Sequence, residues 1–256
     1  MTGAPTVSAL RISREEMSIL IRGATIDVAP HHHHALQIAV ALRTPFHLSC
    51  AGDDLALEGA IVAPGTPHRL DSRGGEVAVL LVEPELAAAR EAMARLLGGK
   101  AFAPLPMEEM RQLRAVCLGD GTPSHAHMLG LLAPGTRDMP ERDPRIAALQ
   151  ERLRALPEKR ASLGAIAAEM GLSESRLTHL FKEETGVSFR RYLLWLRLGD
   201  AMARALAGAS LTDAAHATGF ADSAHLSRTC REMFGINPLS VARNSRFVQA
   251  GKRDVS

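Results

Sequence analysis

Between residues 17 and 83, apolar side chains recur at every second position. In Leu36, Ile38, Val40 and Leu42, and again in Val77, Val79 and Leu81, one face is apolar, the spacing of half-buried strands. Turn-forming clusters separate the runs at Gly52-Asp53-Asp54, Pro64-Gly65-Thr66-Pro67 and Ser72-Arg73-Gly74-Gly75, and short strands at such intervals predict a small β-barrel or sandwich. After Pro84 the period lengthens. Leu86, Ala89, Met93, Leu96 and Leu97 form one stripe that stops at Gly98-Gly99, predicting a helix from Glu85 to Leu97, and a second helix is expected over Met107 to Leu118. Their apolar faces would cover the strands or meet a second subunit. Residues 119–143 are crowded with turn residues, Gly119, Gly121-Thr122-Pro123, Pro134-Gly135 and Pro140, around a short helix near His127 to Leu132. They read as a linker. The expected organisation is therefore a strand-rich domain over 1–118, a linker over 119–143 and an all-helical domain over 144–256.

The helical half repeats itself. Leu177-Thr178-His179-Leu180-Phe181-Lys182 aligns with Leu226-Ser227-Arg228-Thr229-Cys230-Arg231, and Gly186 then falls on Gly235. Each copy reads helix, glycine turn, helix. In the first, Leu163, Ile166, Ala167 and Met170 precede Gly171, Ser173 can cap the next helix, and Leu177, Leu180 and Phe181 return to a core. In the second, Leu211, Ala214 and Ala215 precede Gly219-Phe220, and Leu226, Cys230 and Phe234 follow. A tight turn sets two short helices at a steep angle and leaves one face of the second free to enter a major groove. Those faces carry Glu174, Ser175, Arg176, Thr178, His179 and Lys182 in the first copy, and Asp222, Ser223, His225, Ser227, Arg228 and Arg231 in the second. Arg can pair bidentately with guanine, and Ser, Thr and His reach base edges or phosphates. A long helix over Phe189 to Ala207 would hold the two copies about one turn of DNA apart.

Charge and composition narrow the classes. Residues 1–144 hold 13 Lys and Arg against 17 Asp and Glu, a net −4, whereas residues 145–256 hold 17 against 11, a net +6; positive charge is concentrated where phosphate contacts would be made. Met1 to Arg14 have no secretory signature and no apolar run approaches the roughly 18 residues of a membrane span, so a cytoplasmic protein with no membrane partner is expected. Cys50, Cys117 and Cys230 are far apart and form no CxxC pair, which points to buried thiols rather than a disulfide framework or cysteine zinc site.

The stretch Ala214 to Pro238, with Gly219-Phe220, Asp222, Leu226-Ser227-Arg228, Phe234-Gly235 and Asn237-Pro238, resembles the C-terminal signature of the AraC/XylS family of bacterial transcription regulators, and residues 155–240 resemble its whole DNA-binding domain. The resemblance implies a sequence-specific regulator that binds promoter DNA as a homodimer and recruits RNA polymerase as an activator or blocks it. Carried over with the residue chemistry above, the expected DNA contacts are Ser175, Arg176, Thr178, His179 and Lys182 in the first unit and Ser223, Ala224, His225, Ser227 and Arg228 in the second. Three positions depart from the family: Ala214 replaces a large aliphatic, Cys230 replaces a Phe, and Val241-Ala242-Arg243 stands where Tyr-Arg is usual. Lost core volume predicts a second unit less stable than the first.

The N-terminal strands and Pro64-Gly65-Thr66-Pro67-His68 resemble the cupin-type sensor barrel that many relatives carry. The fold class expected is thus α+β in two domains, a cupin-like β-barrel with flanking helices followed by an all-α domain of two helix-turn-helix units on a long helix. Strand alternation turns His31 with His33, or His32 with His34, to one side, and the set chosen as a divalent metal site is His32, His34 and His68. Gln37 stands near where the cupin pattern has a Glu. The competing ligand is a small organic effector; with Phe46 and Phe102 as the only aromatic residues of 1–118, a sugar is disfavoured. His125 and His127 are expected to be exposed. The competing function is a metal-dependent cupin enzyme with an accessory helical domain. Neither a phosphate loop nor a Ser/His/Asp motif supports catalysis elsewhere.

Overall fold

The computed structural model describes residues 6–8, 10–15, 17–23, 25–135, 143–156 and 161–249. The two alternating runs lie side by side at the centre of one sheet: Leu36–Ala41 and Val77–Val82 pair antiparallel with Ile38 opposite Leu80. In chain order the strands are β1 (Thr6–Ser8), β2 (Leu10–Glu15), β3 (Ser18–Gly23), β4 (Thr25–Asp27), β5 (Leu36–Ala41), β6 (Phe46–Cys50), β7 (Asp53–Leu57), β8 (Gly59–Val62), β9 (His68–Asp71), β10 (Val77–Val82), β11 (Phe102–Pro104) and β12 (Ser245–Gln249). They make a five-stranded sheet of order β1-β4-β9-β6-β7 and a seven-stranded sheet of order β11-β8-β5-β10-β3-β2-β12. The expected cupin-like barrel is therefore not closed. Its edges stay unpaired between the sheets, and β7 carries Asp53 and Asp54 on an exposed edge where further pairing would bury charge.

Strands β5 and β10 are buried on both faces, unlike the half-buried strands expected. The reason is the helices α1 (Ala87–Ala92, continued by a π turn over Met93–Leu97), α2 (Met107–Leu118) and α3 (His125–Leu132). Their Ala89, Leu97, Leu113, Met128 and Leu132 pack on Leu36, Ile38, Val40 and Leu80. The other face of β5 turns small or polar residues, Gln37, Ala39 and Ala41, toward the second sheet, beside Val77, Val79 and Leu81 of β10. His125, expected at the surface, is fully buried on α3; its ring nitrogens meet the hydroxyls of Ser13 at 3.0 Å and Ser18 at 2.7 Å, and its backbone N–H donates to Glu15. His127 is exposed, as expected.

The helical half runs α4 (Pro144–Ala155), α5 (Leu163–Glu169), α6 (Glu174–Thr185), α7 (Phe189–Leu206), α8 (Leu211–Ala217), α9 (Ser223–Phe234) and α10 (Pro238–Asn244). Helix starts are set by side-chain caps: Ser162, Ser173, Ser188, Ser210 and Asp222 each accept a backbone N–H of the following turn. Left-handed glycines end α6 and α9, Gly186 at φ +75° and Gly235 at φ +68°. Phe181, Phe189 and Tyr192 stack edge to face at 5.4 Å in the first unit.

Cys230 takes the corresponding core position of the second unit, fully buried with its thiol pushed up to about 12 by desolvation, and a cavity of about 50 Å³ lies beside it among Met202, Leu206, Phe234 and Ile236. The void is what a smaller residue leaves when its neighbours do not close in. Cys230→Met should fill part of it and raise stability by about 1 kcal/mol, read from the midpoint of a urea titration; a lower midpoint would mean that the space cannot take a longer side chain.

The halves share one core. A continuous apolar cluster runs from Ile12, Val28 and Val79 between the sheets to Trp195, Phe220 and Val241 of the helices. Strand β12 leaves α10 and pairs parallel with β2, Phe247 opposite Ile12. Two ion pairs cross the same junction, Arg14 with Asp200 at 3.3 Å and Arg154 with Glu83 at 2.6 Å. Burial raises the Glu83 carboxyl above its ordinary range, with the Arg154 charge opposing. No helix among the described residues is long and apolar enough to cross a membrane.

Candidate nucleic-acid interface and histidine cluster

Helices α6 and α9 occupy equivalent places in the two copies of the repeat. Each follows a short helix and a left-handed glycine, Gly171 at φ +65° before α6 and Gly219 at φ +82° before α9. Leu177, Leu180 and Phe181 hold the inner face of α6, and Leu226, Thr229, Cys230 and Met233 that of α9. The outer faces follow from the same periodicity. Ser175, Arg176, His179 and Lys182 are exposed and Thr178 is half-buried, its hydroxyl donating to the Glu174 carbonyl. On α9, Ala224 and Arg228 are exposed and Ser223, His225 and Ser227 half-buried. Ser223, Ala224, Ser227 and Arg228 share one groove with Arg231, which also faces solvent. Two residues from the expected outer faces have structural duties. Asp222 is the cap of α9, accepting from the His225 N–H at 2.6 Å, and that contact first among others holds its carboxyl below the usual range. The His225 ring stacks edge to face on Phe220 at 5.2 Å.

The histidine run is placed differently from the set expected. His31 bridges to His68 of β9 through reciprocal backbone hydrogen bonds of 3.0 and 2.9 Å, which fixes the register. Alternation then turns His31 and His33 toward His68 and sends His34 the other way. One nitrogen from each of His31, His33 and His68 lies within 4.8 Å of the others, all three residues buried. His32 is half-buried beside Arg191 and Glu232, and His34 donates to or accepts from Glu85 at 2.7 Å with both side chains fully buried. Of the expected set His32, His34 and His68, only His68 lies in this cluster, whose other members are His31 and His33.

Each imidazole of the cluster is oriented by a backbone carbonyl. Nδ1 of His31 meets Ala29 O at 2.9 Å, Nδ1 of His33 meets Ala35 O at 2.9 Å, and Nδ1 of His68 meets Thr66 O at 2.8 Å. A carbonyl only accepts, so Nδ1 carries the proton and Nε2 keeps its lone pair while the ring is neutral. Burial keeps the rings neutral: it lowers the pKa of His31 to about 3, that of His33 well below the ordinary value, and that of His68 as well. Nε2 of His33 and of His68 both approach Oε1 of Gln37, at 3.2 and 3.1 Å, and Gln37 Nε2 is buried with no partner. Sequence reading noticed Gln37 only as a near match to a missing Glu; its position two residues into β5, on the inward face, is what brings it to the cluster.

The same loop touches the helical half. Ala29 N–H donates to Gly235 O at 3.0 Å, His32 N–H to Glu232 O at 3.3 Å, and Arg191 to His32 O at 3.3 Å. Phe234, Ile236 and Val241 reach between the sheets, where they leave a cavity of about 60 Å³ bordered by His31, His33 and Gln37.

Residues 166–244 match the family described as helix-turn-helix domain. The chain is 31% identical to a transcriptional regulator with an AraC-type DNA-binding domain from Chromobacterium violaceum, covering 38% of this chain and 87% of that one with a TM-score of 0.36. The chain belongs to the AraC/XylS family of transcription regulators. At the level of fold it is similar to apo ToxT from Vibrio cholerae, with a TM-score of 0.59 at 12% identity over 91% of this chain and 99% of that one. It is also similar to ToxT with a bound unsaturated fatty acid, with a TM-score of 0.54 at 12% identity over 95% and 98%. Comparison with curated proteins returns no match.

Proposed function

We propose that this chain is a sequence-specific DNA-binding regulator whose N-terminal sheets sense an effector and pass its state to two helix-turn-helix units. The observation that carries the reading is the pair of capped, glycine-terminated helices α6 and α9, each with an apolar inner face and a polar outer one, on the rod α7. At 1.5 Å per residue the 18-residue rod is about 27 Å long, short of but comparable with the roughly 34 Å between successive major-groove segments. Ser175, Arg176, Thr178, His179 and Lys182 on α6, and Ser223, Ala224, His225, Ser227 and Arg228 on α9, are the proposed contacts. Residues 144–256 form the DNA-binding domain, and the sheets with α1 and α2 form the sensor, which pairs two copies on promoter DNA and acts on RNA polymerase.

An effector role for the sheets is supported by direct contact. The loop at Ala29 to His32 bonds the C-terminal end of α9, so a ligand that shifts the loop also shifts the seat of that helix. The fold neighbour ToxT has been solved with a bound unsaturated fatty acid, which supports an effector for a chain of this fold. An enzyme is less well supported: the cavity bordered by His31, His33 and Gln37 is only about 60 Å³, and the larger open groove touches His68 alone of the three imidazoles.

The test is a footprint on genomic fragments followed by binding to single-base variants of the protected site. Arg228→Ala should relax preference at one base pair by about 1–3 kcal/mol, while Lys182→Ala should weaken all sequences alike and lower the salt dependence. Equal loss on every sequence for Arg228→Ala would demote that residue to a phosphate contact, and absence of any protected site would overturn the reading.

A further inference from the structure

We infer that His31, His33, His68 and Gln37 form a site for a divalent first-row transition metal ion, and that its occupancy is read by the helical half through the loop that carries His31. This names the effector class for the regulator proposed above; the metal half of the inference stands without that reading and the coupling half rests on it.

Two features of the cluster point to a cation. First, three imidazoles converge in one buried space, one nitrogen of each within 4.8 Å of the others, and each Nδ1–H is spent on a backbone carbonyl. This is the outer-shell arrangement that orients histidine ligands in metal sites. Second, the Gln37 amide lies 3.2 and 3.1 Å from Nε2 of His33 and of His68, with its N–H₂ group buried and without another partner. Its oxygen is therefore placed to serve as a fourth donor to an ion held by the imidazoles. The lining on the cavity side is apolar, with Leu10, Ile12, Ile26 and Leu70, so the coordination itself must offset the cost of burying the ion's charge. A tetrahedral ion with bonds of about 2.1 Å needs ligand nitrogens about 3.4 Å apart, so nitrogens that lie within 4.8 Å of one another close by up to about 1.4 Å.

That closure is what the helical half can feel. His31 is held on one side by His68 and on the other by the chain at Ala29, whose N–H donates to Gly235 O at the end of α9. His33 lies against Trp195 of α7, ring centroids 6.3 Å apart. Drawing His31 and His33 inward pulls on both helices at once.

The experiment is titration of the full-length, untagged protein with Co²⁺ and Zn²⁺. One Zn²⁺ per chain should be retained through dialysis, and Co²⁺ should give the visible absorption of a four-coordinate nitrogen and oxygen site. His33→Asn with His68→Asn should abolish both, His32→Ala should leave both intact, and Gln37→Glu, which adds a carboxylate at the same place, should tighten binding at least tenfold. Absence of stoichiometric metal in the wild-type protein, or equal binding by the double Asn variant, overturns the site; circular dichroism of that variant establishes that it is folded, and the Gln37→Glu gain is a test that no misfolding can mimic. For the coupling, hydrogen exchange at the Ala29 and His32 amides should change at least tenfold on adding Zn²⁺ to wild-type protein and not to the double variant. Metal bound with both amides unchanged overturns the coupling and leaves the DNA-binding reading untouched, which the footprint tests alone.

Discussion

Replacing Glu85 with Ala should cost about 3 kcal/mol of stability, because it leaves the fully buried His34 ring with no polar partner. The pair bonds at 2.7 Å with neither side chain exposed, and the remaining polar atoms, His34 Nδ1 and Glu85 Oε2, have no partner of their own. His34 also stands edge-on to Tyr192 and Trp195, at 5.6 and 6.2 Å between ring centroids, so a displaced imidazole would disturb the face on which α7 rests. The direction reverses if both partners become apolar: His34→Leu with Glu85→Leu should recover most of the loss, since a buried polar pair contributes little beyond what good apolar packing would. Urea titrations of the two single variants and the double variant measure this. A single-variant cost below about 1 kcal/mol would mean that water reaches the pair.

The second large effect sets two equivalent glycines against each other. Gly186 and Gly235 both end recognition-type helices with left-handed backbones, at φ +75° and +68°. A Cβ at Gly186 would meet nothing within 4 Å, whereas at Gly235 it would run into the Ala29 carbonyl oxygen and lie 3.0 Å from both Ala29 N and His31 Nδ1. Gly186→Ala should therefore cost only the left-handed penalty of about 1–2 kcal/mol. Gly235→Ala should cost clearly more, and the excess should fall on the junction: the Ala29 N–H bond to residue 235 would be pushed open and its amide would exchange faster. Equal losses for the two variants, with Ala29 protection unchanged, would mean that α9 and the histidine loop are not in close contact in solution.

Much of this arrangement could be read along the chain. The two alternating runs became adjacent strands, the stripe ending at Gly98-Gly99 became α1 with its π turn, and the repeated glycine turns fell between α5 and α6 and between α8 and α9. Local periodicity and capping settle such features within a few residues. What escaped depends on contacts between distant segments. The large aliphatics Leu36, Ile38 and Val40 face the helices and not the space between the sheets, a choice made by α1 to α3 some fifty or more residues later. The histidine register is set by the bridge from His31 to His68, which alternation alone leaves open between two answers. His125 looked isolated because its partners, Ser13 and Ser18, lie more than a hundred residues upstream. Gln37 was visible as a residue but not as a partner of two imidazoles. The single apolar core joining both halves had no sequence signal at all, since each half looks complete by its own pattern.

The parallel pairing of β12 with β2 bears on how such a regulator responds. Five consecutive residues, Ser245 to Gln249, lie in register along Leu10 to Arg14, so the segment that follows α10 is laced to the seven-stranded sheet. Tilting the helical half away from the sheets requires that lacing to be undone as a unit, like a clasp that is either fastened or open. A dose of effector too small to unfasten it would leave each molecule's output unchanged, and a graded signal in a population would then be a changing proportion of molecules in two settings.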